Sequence, residues 1–157
     1  MAIVVRRATI DDAALISSLN ADVQAIHAAE LPWRFKAPGP ETFPPSSAAS
    51  LLANPNNLVF VADIDSEPAG YAYAEVIRRG ATSFHHAYET IYLHHISVRS
   101  ERRRCGVGGR LIEAVRAAGH ELGISLVTLD VWSFNDEARA FFRRHGFTPY
   151  IERLWSR

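Results

Sequence analysis

The stretch Val98-Arg99-Ser100-Glu101-Arg102-Arg103-Arg104-Cys105-Gly106-Val107-Gly108-Gly109 limits what this chain can fold into more than any other. The apolar run Ile91 to Val98 ends at its start and reads as a strand. Behind it, Leu111, Ile112, Val115, Ala118 and Leu122 recur at helical spacing, so a helix is predicted over Gly106 to Leu122, with Gly123 as its stop. The β-rich run Ile124 to Val131 comes next. Strand, helix and strand in this order imply parallel strands joined by a right-handed crossover. The turn that opens the helix is rich in arginine and glycine. Backbone N–H groups at a helix start lack intrahelical acceptors and carry partial positive charge, so they attract phosphate. Glycine lets an anion come close and permits unusual dihedral angles. The turn suits a diphosphate. It is not a P-loop, because no lysine follows its glycines, and Gly109 comes too early for a dinucleotide fingerprint.

The remaining elements follow from periodicity and punctuation. Ile3 to Arg7 is a short β-branched run. Thr9 is the expected cap of a helix from Ala13 to Ala29, with Asp11 and Asp12 in its first turn and apolar residues at Leu15, Ile16, Leu19, Val23 and Ile26. Pro32 ends it, and Lys36 to Pro45 is a loop with four prolines. Ser46-Ser47 can cap a second short helix that stops near Asn54-Pro55. Leu58 to Ile64 and Ala69 to Ile77 form a hairpin around Ser66-Glu67-Pro68, and Arg78 to His86 is a polar connection. Asp136 to His145 is a helix stopped by Gly146, and Phe147 to Trp155 is a last strand. The order is β-α-α-β-β-β-α-β-α-β. The fold class is therefore α/β (α+β), a mixed, mostly antiparallel sheet flanked by helices, in a single domain over residues 1–157.

Arginines 99, 102, 103, 104 and 110 also describe a patch for nucleic acid. The chain, however, carries 17 basic and 17 acidic residues and no net charge, and no aromatic platform is interleaved with those arginines. Neither nucleic acid nor a membrane is an expected partner. No run approaches the ~20 apolar residues of a membrane helix, and the charged N-terminus does not read as a signal peptide. A cytoplasmic location is the expectation. One cysteine, Cys105, excludes an intrachain disulfide and a multi-cysteine zinc site. Its place beside arginines at a helix start favours a thiolate, yet no base is evident next to it, and a packing role is the simpler reading.

The arrangement Val98-x-x-Glu101-x-Arg103-x-x-Gly106-x-Gly108 resembles the acetyl-CoA signature of the GNAT superfamily of N-acetyltransferases. A second match lies downstream in Leu129-x-Val131, then Asn135-x-x-Ala138-x-x-Phe141-Phe142-x-x-x-Gly146-Phe147. The resemblance covers Val59 to the C-terminus well and the first 55 residues in outline. It implies direct acetyl transfer from acetyl-CoA to a primary amine of a small molecule, protein or peptide. It places Ile96, Ser97 and Val98 along the pantetheine arm, and the main chain of Arg103, Arg104, Cys105, Gly106, Val107 and Gly108 around the diphosphate. Asn135 and Ala138 would sit at the arm or diphosphate, and Phe142 at the position next to the CoA sulfur. The family often has tyrosine there to protonate the thiolate, and phenylalanine cannot. Tyr150, Tyr92 and Tyr88 are substitutes, as is water. A CoA-binding sensor of the same fold without catalysis is the alternative that this departure motivates.

The family's frequent glutamate base falls near Tyr92, so His94, His95 and Glu89 are the local candidates. Strict alternation puts Tyr92, His94, Ile96 and Val98 on one face of the strand and Leu93, His95 and Ser97 on the other. Either histidine can equally be a satisfied core residue. Glu75 faces the acceptor groove or solvent. Glu30 and His27, with Trp33, Phe35 and Phe43, form a helix end that the resemblance makes one wall of the acceptor site. No metal is expected, and an apolar C-terminal strand could support a homodimer.

Overall fold

Leu58 to Ile64 is buried on both faces, and the sheet is built around it. Leu58, Phe60, Ala62 and Ile64 point into one apolar cluster, and Val59 and Val61 into another. Such a run, apolar at every position but Asp63, suits a strand covered on both sides. The computed structural model describes residues 1–157. It gives β1 (Ile3–Arg7), α1 (Ala13–Glu30), α2 (Pro45–Ala53), β2 (Asn57–Ile64), β3 (Glu67–Arg79), β4 (Tyr88–Val98), α3 (Val107–Glu121), β5 (Val127–Leu129) and α4 (Asp136–Arg144). The five strands lie in sequence order, antiparallel from β1 to β4 and parallel between β4 and β5. Helix α3 lies over the face of Phe60 and Leu93, and α1 and α2 cover the face of Val61 and Tyr71.

Local chemistry sets several boundaries differently from expectation. Thr9 opens a short 3₁₀ turn, Ile10–Asp12, and not α1 itself. Its N–H donates to the Asp12 carboxylate at 2.8 Å, which also holds Arg6 in a two-pronged pair at 2.8 Å. Helix α2 starts at Pro45, not after a serine cap, because proline's fixed φ and missing N–H suit a first helical position. The β2–β3 turn is made by Asp65 and Ser66, both with positive φ (49° and 70°), the backbone of a tight hairpin turn.

Two expected strands are reduced. The run Ile124 to Val131 forms pairs only over Val127–Leu129. The expected last strand, Phe147 to Trp155, does not form. Pro149 lacks the N–H a ladder needs. Tyr150, Ile151, Leu154 and Trp155 are exposed, so nothing is gained by alternation there. The strand that was to support a dimer is therefore absent.

Strand β4 carries the decisive irregularity. Tyr73 pairs with His95 and Ala74 with Leu93, so His94 is an extra residue, a β-bulge. Ahead of it Ile91 and Leu93 face α3; beyond it Ile96 and Val98 do. The bulge shifts the phase by one.

The glycines of the turn divide their work. Gly106, at φ 89°, caps α3 in a conformation L residues avoid. Gly108 lies against α4: a Cβ there would stand 2.9 Å from two ring carbons of Phe141. Gly108→Ala should therefore cost about 1–3 kcal/mol of unfolding free energy despite alanine's better helix propensity. Chemical denaturation measures this, and Phe141→Leu in the same chain should return part of the loss.

Candidate active site

Beyond Leu93, β4 has no partner strand on its β5 side, because pairing stops at Leu93 with Leu129. The N–H of Arg99 donates to Ala69 on β3 at 2.8 Å, whereas that of Ile91 donates to Leu126 on the β5 side at 2.9 Å. Main-chain groups alternate between the two edges of a strand. With the bulge at His94, those of Ile96 and Val98 point into the gap between β4 and β5. The Arg103 guanidinium reaches the Val98 carbonyl there at 3.4 Å. Ser97 points the other way, and its hydroxyl donates to the Leu19 carbonyl at 2.7 Å, tying β4 to α1.

Below the gap the arginine–glycine turn leads into α3. From Arg104 to Gly109 the backbone N–H groups donate to no acceptor within the protein, and helical pairing resumes with Arg110 to Gly106 at 3.2 Å. Arg104 holds a positive φ of 60° beside that of Gly106, which turns successive N–H groups in one direction. Unpaired N–H groups so placed at a helix N-terminus can cradle an anion. Val107 is buried in the core, so only its main chain is offered. The Cys105 thiol is half-buried and directed at the Arg103 carbonyl at 3.5 Å, with no base beside it.

On the far side of the gap, Asn135 caps α4: its Oδ1 accepts from the Ala138 N–H at 3.1 Å. One carbonyl lone pair is thus committed to the helix, and its amide N–H groups make no bond within the protein. Phe142 is buried among Phe141 and Phe147 and belongs to the core on the α3 side.

The opposite face of the sheet holds the titratable residues. The bulge puts His94 and His95 on the same face, contrary to strict alternation, with Ile96 and Val98 behind them. His94 stacks on Tyr73 (4.6 Å), meets the edge of Tyr92 (4.7 Å) and joins Nε2 to the Glu75 carboxylate at 2.7 Å. Both members of that pair remain about one third exposed. Glu89 is elsewhere: near the start of β4 it is paired with Arg78 at 2.8 Å, remote from the bulge. Tyr150 is 75% exposed in the C-terminal segment, near Tyr92. Burial, with the Asp130 carboxylate nearby, pushes Tyr92 up to about 12.

His95 is enclosed. Its Nδ1 lies 2.9 Å from the hydroxyl of Tyr71, which accepts from Asn20 Nδ2 at 2.9 Å. Tyr71 has no second acceptor, so its O–H donates to Nδ1, and the remaining proton of a neutral His95 sits on Nε2. Neither Asn20 nor Tyr71 stood out in the sequence. The signal was the pairing of a polar-tipped Tyr71 with a histidine strand, legible only once register was known. His95 opens on a cavity of about 420 Å³ between α1 and the loop after it. That loop is pinned by Phe35, which stacks on His27 (5.1 Å) and meets Trp132 (5.6 Å). Trp33 meets Trp155. Glu30 is exposed at the end of α1.

Burial, with smaller repulsion from His94 and His27, lowers the His95 pKa from 6.5 to about 4. An unfolded chain thus binds a proton that the fold refuses. The contribution to stability is complete above about pH 6.5 and is lost as pH falls toward about 4, up to about 3 kcal/mol. Burial lowers His27 as well, with the same sign. Denaturation at about pH 7 and about pH 5 should show the loss, and His95→Gln should flatten the profile.

Comparison with known proteins agrees with this fold. The acetyltransferase (GNAT) family profile matches residues 22–147. An uncharacterized N-acetyltransferase of the pepI 3′ region of Lactobacillus delbrueckii subsp. lactis is 26% identical over 104 residues, 66% of this chain and 59% of that protein. The chain thus spans somewhat over half the length of that relative. A mutant of the BH1408 protein from Bacillus halodurans superposes with a TM-score of 0.92 at 23% identity, over 98% of both chains. The aminoglycoside N-acetyltransferase AAC(6')-Iy, solved with CoA, superposes with a TM-score of 0.75 at 18% identity, over 99% of this chain and 94% of the other. With the family profile matched over residues 22–147, most of its length, the chain belongs to the GNAT acetyltransferase family.

Proposed function

We propose that the protein is an N-acetyltransferase that passes the acetyl group of acetyl-CoA directly to a primary amine. The observation that carries this reading is the gap beside His94–Val98 leading straight to the unpaired N–H groups of Arg104–Gly109. The N–H groups hold the diphosphate. Ile96 and Val98 pair the amides of the arm as a missing strand would. Asn135, through its free amide, holds the arm from the other side, with Ala138 leaving it room.

The thioester carbonyl then lies near the bulge. The amine nitrogen attacks the carbonyl carbon, the C–S bond breaks, and the nitrogen gives up a proton. The main-chain N–H of Val98 is the donor for charge growing on the oxygen. His94, joined to Glu75, takes the proton directly or through water. His95, neutral with its proton on Nε2, is a donor and not the base. With Phe142 in the core, the departing thiolate takes its proton from solvent.

Thiol release from acetyl-CoA across an amine panel tests the activity. His94→Ala should lower kcat about 100-fold, and Glu75→Gln about 10-fold. Acetyl-CoA should also shield Cys105 from alkylation. Absence of binding heat with CoA or acetyl-CoA at millimolar ligand would overturn the reading. Tight binding without turnover on any amine would leave a CoA sensor instead.

A further inference from the structure

The cavity beside His95 is lined by donors and cations. Arg34 and Lys36 reach it from the loop after α1, and His95 closes it from the sheet. Neither Arg34 nor Lys36 forms an ion pair. The Arg34 guanidinium lies 5.0 Å over Trp132 and 6.0 Å from Phe35. Stacking occupies the face of a guanidinium and leaves its N–H edge for an oxyanion. His95 adds the Nε2–H that the Asn20–Tyr71 string fixes. Glu41 is the single acid of the lining. Two cations against one acid leave one net positive charge.

The other end of the same face is acidic. Glu75 holds His94 there, and the Asp130 carboxylate lies near Tyr92. His94 and His95 are consecutive, so the two ends meet at the bulge. A groove with a carboxylate at one end and cations at the other suits a zwitterion. We propose that the acceptor is an amine bearing a carboxylate, of the amino-acid class. Its carboxylate lies against Arg34, Lys36 and the Nε2–H of His95, and its amine is presented to His94 and Glu75. One net charge in the lining matches a carboxylate better than a phosphate dianion. A polycationic acceptor of the aminoglycoside kind finds only Glu41 to meet its charges in this cavity. This rests on the acetyl-transfer reading and names its substrate class.

The test uses the full chain and matched amines: amino acids, their carboxamides, their decarboxylated amines, phosphoethanolamine and an aminoglycoside. Thiol release from acetyl-CoA gives kcat/KM for each. The preferred amino acid should exceed its own amide and decarboxylated partner at least about 10-fold, chiefly through KM. In Arg34→Gln and Lys36→Gln that ratio should fall toward one. His95→Phe should lower it too, and His95→Gln, which keeps a donor, should restore part of it. Preference for the amides, phosphoethanolamine or the aminoglycoside would overturn the proposal while acetyl transfer stood. If no amine is turned over, the acetyl-transfer reading fails on its own, and thermal shift of the CoA-bound protein still decides the cavity. A higher Tm with the amino acid than with its amide supports the proposal, and equal values overturn it.

Discussion

One inserted residue organises this molecule. His94 has no partner on β3, and the phase of β4 changes there. Without that change, the apolar set Ile91 and Leu93 would be continued by His95 and Ser97, and two polar groups would be driven into the core under α3. With it, Ile96 and Val98 take over the core face, and both histidines and Ser97 turn toward α1. A bulge also bends its strand and sharpens its twist. The bend comes where pairing with β5 stops, at Leu93 with Leu129, so the two strands part instead of extending the ladder. Side-chain order on one face and open main chain at the edge thus share one cause.

Much of this was legible beforehand. Long periodic elements are the ones sequence describes best: α3 through Leu111, Ile112 and Val115, and the two-faced apolar β2. The arginine–glycine turn was readable because its backbone chemistry depends on few residues. What escaped depended on register. The bulge left a trace, since the apolar positions of β4 run 91, 93, 96, 98 and break period two once. The histidines masked it, because either could have been an apolar substitute. Tyr71 and Asn20 could not be read as partners of His95, since their contact spans three elements. The missing last strand was over-read from its aromatic residues: Trp155 packs against Trp33 and Trp132 without any ladder.

The glycine turn shows how a binding motif and a packing motif overlap. Gly106 supplies a backbone angle, and Gly108 and Gly109 supply proximity, to Phe141 of α4 and to His145 just past its end. Helix α4 in turn starts at Asn135, whose carbonyl caps its own first turn. The distance between cradle and cap is therefore fixed by glycine–aromatic contact. Any group spanning both meets a preset gap, and preset geometry spares the ordering cost of binding.

Two neighbouring histidines of the same chemistry end in opposite surroundings. His94 is partly open to water and touches the Glu75 carboxylate. His95 is half-buried, its Nδ1 saturated by a tyrosine hydroxyl that Asn20 holds, and burial lowers its pKa to about 4. A ring so placed cannot accept a proton near neutrality, but it donates one hydrogen bond from a fixed direction. The bulge sets the two rings on one face with a single peptide between them. In the proposed reaction, proton transfer and recognition then adjoin without competing, because His94 meets a carboxylate and water whereas His95 meets a tyrosine hydroxyl and packed side chains.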